Sequence, residues 1–122
     1  MDRLWLALAA TYGFLAVALG AFGAHALKQR LSVEMLAVWR TGVEYQFYHA
    51  LALLLLGLLV RQTPSVALNA SGVCFGLGVL LFSGSLYALA LSGVRVFGAV
   101  TPIGGLFFLT GWILLGYAAL KG

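Results

Sequence analysis

The chain has 122 residues, of which 63% are apolar and only 8% charged, with a formal net charge of +4. A soluble domain carries roughly 25% charged residues, so a mostly water-facing surface is excluded, and the length supports one domain with no additional soluble module. The basic residues Arg3, Lys28, Arg30, Arg40, Arg61, Arg95 and Lys121 are scattered singly, which argues against a nucleic-acid partner and for cations placed at membrane interfaces.

Four apolar stretches, about 4–26, 43–60, 66–91 and 101–120, cover most of the sequence. A helix of about 20 apolar residues crosses the roughly 30 Å hydrocarbon core of a bilayer. The expected fold class is therefore an all-α membrane protein, a four-transmembrane-helix bundle with a short interfacial helix between helices one and two. The lipid bilayer is the first partner this implies, and the spans are expected to form a single transmembrane domain.

The first stretch imitates a signal peptide, with Asp2 and Arg3 ahead of an apolar run that ends in Gly23-Ala24-His25-Ala26. Its apolar run is longer than the 7–15 residues of a signal core, so we read it as a retained span. The connection 27–42 mixes Lys28, Arg30, Glu34 and Arg40 with Leu31, Met35, Val38 and Trp39 at helical spacing. That pattern predicts a short helix lying in the interface and anchored by Trp39. After the second stretch, Arg61-Gln62-Thr63-Pro64-Ser65 reads as a tight turn in which Pro64 ends one helix and Ser65 caps the next. The third connection, 92–100, leads into Thr101-Pro102, where Thr101 suits an N-cap and Pro102 a first helical position.

Small residues recur at helical spacing: Ala16, Gly20 and Ala24 on the first helix, and Gly72, Gly76 and Gly84 on the third. Lipid offers no hydrophobic drive between helices, so such faces mark helix packing, within the chain or against a second copy. A faint echo between residues 22–27 and 82–89 hints at a duplicated helical hairpin.

With four spans, the chain start, the turn at Arg61 and the chain end share one side, here the near side; the other two connections lie on the far side. His25, Glu44, Gln46, Tyr48, His49, Ser83, Ser85, Tyr87 and Thr101 all fall toward the far side and form the candidate polar cluster. Ionisable groups at that depth are a site hypothesis by default. One reading is structural, with His25 and Glu44 at helix ends and His49 hydrogen-bonded across the bundle. Another is a wetted conduit for protons or small ions, with Glu44 and His49 titrating. A third is a metal or haem site, although His25, Glu44 and His49 lack a close-spaced ligand signature and no cofactor is expected. No paired nucleophile and base appears, so no enzyme activity is expected.

Gly20-Ala21-Phe22-Gly23-Ala24-His25, the run from Tyr45 to Leu53, the run from Leu81 to Tyr87, and Thr101-Pro102-Ile103-Gly104-Gly105 with Gly111-Trp112 closely resemble the YgdD family (DUF423). Those are small inner-membrane proteins of unknown function, similar to the eukaryotic transmembrane protein 256. The resemblance spans nearly the whole chain and implies four spans in a bacterial cytoplasmic membrane, without supplying an activity. Orientation is open, because Arg3, Arg61 and Lys121 on the near side almost balance Lys28, Arg30, Arg40 and Arg95 on the far side. The favoured reading is an accessory membrane protein that packs through glycine faces, as a homo-oligomer or within a larger membrane complex.

Overall fold

In the computed structural model, residues 1–121 are described. Five α-helices form four rods: α1 (Asp2–Phe22), α2 (Val33–Gln62), α3 (Val66–Gly78), α4 (Gly84–Ser92) and α5 (Val96–Lys121). A wide π-helical turn at Gly23–Leu27 prolongs α1, and a second at Val79–Ser83 joins α3 to α4 into one continuous rod. All four rods are long and apolar enough to cross a membrane. Continuous helix is what lipid demands, since backbone N–H and C=O groups find no water there and must pair within the rod.

The interfacial helix expected between helices one and two does not exist as a separate element. Ser32 caps α2 by accepting a hydrogen bond from the Met35 amide at 3.1 Å, and the helix then runs unbroken to Gln62. Nothing between Val33 and Gly42 stops it, and at about 1.5 Å per residue it is roughly 45 Å long, more than the hydrocarbon core needs. Its charged first turns, with Glu34 and Arg40, are the overhang. Trp39 is correspondingly not an interface anchor but is 4% exposed, and its indole donates to the Leu19 carbonyl of α1 at 3.0 Å.

Helix α5 also begins earlier than Thr101, at Val96, which places Pro102 inside it. A proline removes one helical hydrogen bond, here the one the Gly98 carbonyl would accept from residue 102. The adjacent Thr101 hydroxyl lies 2.6 Å from the Ser85 hydroxyl, to which it donates, and 3.4 Å from the Phe97 carbonyl. The turn before α5 depends on Gly93, whose φ of +72° suits a residue without Cβ and closes α4 through its amide to the Leu89 carbonyl at 2.8 Å. On the near side, Ser65 caps α3 as its position predicts, accepting from the Leu68 amide at 3.3 Å.

The packing rule of the bundle is an aromatic ring seated on a neighbouring helix's glycine. A Cβ on Gly72 would lie 2.6 Å from the Trp5 ring, one on Gly23 2.5 Å from Trp39, one on Gly42 2.8 Å from Tyr87, and one on Gly111 2.6 Å from Phe75. Gly78 seats Phe108 in the same way, and Gly104 meets the backbone of Phe82 itself. That last approach follows from the π turn Val79–Ser83, which carries Phe82 toward α5. Dispersion between interlocking shapes, the force available where apolar transfer contributes nothing, favours this arrangement.

Candidate functional site

The structure divides the predicted polar cluster into separate groups instead of gathering it around one cavity. The innermost group is a relay of hydrogen bonds across three rods. The Tyr87 hydroxyl donates to Gln46 Oε1 at 2.7 Å, Gln46 Nε2 donates to the Tyr12 carbonyl at 2.9 Å, and the Tyr12 hydroxyl donates to the Gly76 carbonyl at 2.8 Å. Ser83 donates to the Gly42 carbonyl at 2.6 Å, tying the π turn to α2. Ser85 pairs with Thr101 and also donates to the Phe82 carbonyl at 2.9 Å, tying α4 to α5.

His49 forms a second group with α5. Its Nδ1 lies 2.8 Å from the Tyr45 carbonyl, and its Nε2 accepts from the Trp112 indole at 3.1 Å. A carbonyl can only accept and an indole can only donate, so Nδ1 carries the proton and Nε2 is bare. Both nitrogens are thus committed, and the ring is clamped flat on Phe108 with centroids 3.6 Å apart and planes 6° apart. Residue 49 lies about 24 Å along the axis from Val33, near the middle of α2 and not in its first turns. Both depth and pairing leave no ring nitrogen open to a further partner.

Glu44 and His25 stand apart from both groups. Glu44 is on the outer surface of α2, where its Oε2 accepts from the Tyr48 hydroxyl at 3.2 Å, and His25 is exposed on the π turn at the end of α1. Among the described residues, no three His, Cys, Asp or Glu side chains converge as a metal site. Every buried side-chain nitrogen or oxygen among them has a hydrogen-bond partner.

The expected packing stripes are also redistributed. Ala16 is buried, and a Cβ on Gly20 would come 3.3 Å from Val43, but the π turn rotates Ala24 outward and puts Gly23 against α2 instead. Gly72 and Gly76 lie in the α1 seam, whereas Gly84 has open space around it. Spacing alone does not single out the seats at Gly42, Gly57, Gly78, Gly104 and Gly111. Their signal is a glycine on one rod matched in depth by a large side chain on another, which needs the rods' relative register. The near side adds further ties: Trp5 to Asn69 at 2.9 Å, Ser71 to the Gly111 carbonyl at 2.7 Å, and Arg61 to Asp2 at 2.8 Å.

A family model described as "Protein of unknown function (DUF423)" matches residues 19–105. The chain belongs to that family. It is 45% identical over 120 residues to the UPF0382 inner membrane protein YgdD of Escherichia coli K12, covering 98% of this chain and 92% of that protein. UPF0382 membrane proteins of Staphylococcus haemolyticus and of Staphylococcus aureus are each 44% identical over 119 residues, with 98% of this chain and 97% of theirs covered. No solved structure matches. Together with the four spanning rods, these relatives make the chain a multi-pass protein of the bacterial inner membrane.

Proposed function

We propose that this protein is an accessory component of the inner membrane that works by association, with a second copy or with a larger membrane complex. The observation that carries the reading is the commitment of the bundle's interior to itself. A conduit built on His49 needs a ring nitrogen facing water, and both of its nitrogens serve Tyr45 and Trp112. Gln46 likewise uses both ends of its amide within the bundle.

Association needs apolar surface left over, and α1 and α5 supply it. Only 22% of an 18-residue apolar stretch in the first rod and 17% of that in α5 is buried, against 44% of the corresponding stretch in each of the two central rods. The glycines that seat neighbouring side chains are filled within the chain, whereas Gly13, Gly84 and Gly116 have open space beside them, and the outer faces a partner would meet carry Val17 on α1 and Leu109 and Ile113 on α5.

Cysteines at Val17 and Leu109, placed singly in a Cys74→Ser background and oxidised in native membranes, should give a cross-linked species of higher mass from at least one face. Monomer alone at both faces overturns the proposal. Proton flux through protein-loaded liposomes should be flat between pH 5.5 and 7.5, around the ordinary histidine pKa of about 6.5. A pH-dependent flux abolished by His49→Ala would establish the conduit instead.

A further inference from the structure

The seam between α1 and α2 is closed toward the bundle and open toward lipid. At its far end a narrow cleft begins beside Arg40, between Gly23 and Ala24 of the π turn and Leu36 of α2. It continues past Gly20 and Val43 into a wider groove of about 490 Å³ whose floor is Ala16 and Ala21 and whose α2 wall carries Glu44 and Phe47. Gly20 and Val43 line both parts, so the cleft and the groove follow one another along the same seam as a two-part trough, meeting where Gly20 approaches Val43. The opening has a local cause: apart from Val17, α1 presents only glycine and alanine there, and the Gly20–Val43 and Gly23–Trp39 approaches fix how near α2 can come.

The chemistry along the trough changes with depth. At the mouth stands Arg40, exposed and without a carboxylate partner among the described residues. Lys28 and Arg30 occupy the turn at the same end of the bundle. Below Arg40 the walls are aliphatic and aromatic apart from the Glu44–Tyr48 pair. A bare apolar groove accepts any alkyl chain, but a cation at its upper end fixes which amphiphile enters and how far. We infer that the trough is a phospholipid site, with the phosphate of an anionic phospholipid on Arg40 and one acyl chain lying in the groove beneath.

Three physical points favour this occupant over a protein helix. A guanidinium matches phosphate oxygens in a two-pronged, charge-assisted geometry. Basic pockets between transmembrane helices at headgroup level suit anionic headgroups. Far-side charge is also complementary, with Lys28, Arg30, Arg40 and Arg95 outnumbering Glu34 and Glu44. Glu44 lies one turn below Arg40, where its carboxylate opposes a second anion and so keeps the phosphate at the mouth.

Protein purified in a mild nonionic detergent would be titrated with phosphatidylglycerol, phosphatidylcholine, phosphatidylethanolamine and inorganic phosphate, reading the thermal midpoint and the bound species by native mass spectrometry. Phosphatidylglycerol should raise the midpoint and remain as a one-to-one adduct, while inorganic phosphate should do neither, because it lacks the chain that fills the groove. Arg40→Ala should weaken the adduct about tenfold, whereas Arg95→Ala, on the other far-side connection, should leave it intact. Ala21→Phe, which fills the groove from an exposed position, should block the adduct with helical content unchanged. Equal loss in the Arg40 and Arg95 variants would overturn the proposal, as would undiminished binding in Ala21→Phe. Glu44→Gln should tighten binding slightly. Weakened binding there, with phosphatidylethanolamine preferred, would replace phosphate recognition by ammonium recognition and sink the inference.

Discussion

The inner and outer faces of α2 carry the same kinds of side chain under opposite conditions. Inward, His49 and Gln46 are 4% and 3% exposed and each makes two hydrogen bonds to neighbouring groups. Outward, Glu44 has a single hydroxyl donor and Arg40 has no ion-pair partner among the described residues. The contrast shows how a membrane bundle separates structure from availability. Polar atoms that hold the rods together satisfy one another, and those left over on the lipid face are the ones free to meet something else.

The largest way to break the inner face is Gly104→Leu. Overpacking a core usually costs about 1–3 kcal/mol, and here the added Cβ meets the backbone of Phe82, which cannot rotate aside. Loss of the monodisperse folded form on size-exclusion chromatography is expected. Gly76→Leu, whose Cβ meets only the flexible end of Leu8 at 3.1 Å, should be milder. Equal damage from both would mean that the glycine seats are not what sets the packing.

Gln46→Leu removes both of its hydrogen bonds and leaves the Tyr87 hydroxyl without its acceptor. A loss of about 1–2 kcal/mol is expected in a reversible detergent unfolding titration, in line with buried hydrogen bonds that lose one partner. Next in size is the His49–Trp112 contact. His49→Phe preserves a ring over Phe108 but takes away the acceptor, and a double-mutant cycle with Trp112→Phe should give a coupling of about 0.6 kcal/mol, the average for membrane hydrogen bonds. Zero coupling would show that His49 contributes only by stacking.

Glu44→Gln tests the outer face and should change stability by less than about 0.5 kcal/mol, as surface substitutions do. A change as large as that of Gln46→Leu would erase the distinction between the two faces. Smallest of all is Asp2→Asn on the near side, which breaks the exposed pair with Arg61. Its effect on the thermal midpoint should fall below that of Gln46→Leu and shrink further in high salt, since surface ion pairs are weak and screened.

By itself the sequence determined the number and approximate placement of the spans, because hydrocarbon imposes a length and a composition that can be counted along a chain. It also determined the cap at Ser65, where local backbone chemistry is sufficient. Only the tertiary structure decided that residues 33–42 continue α2, that Ala24 turns outward and Gly23 inward, and that His49 meets Trp112 while Glu44 faces lipid. Helical spacing assigns a residue to a stripe on its own rod. It carries no information on where a π turn shifts that stripe, nor on the depth at which the next rod places its partner.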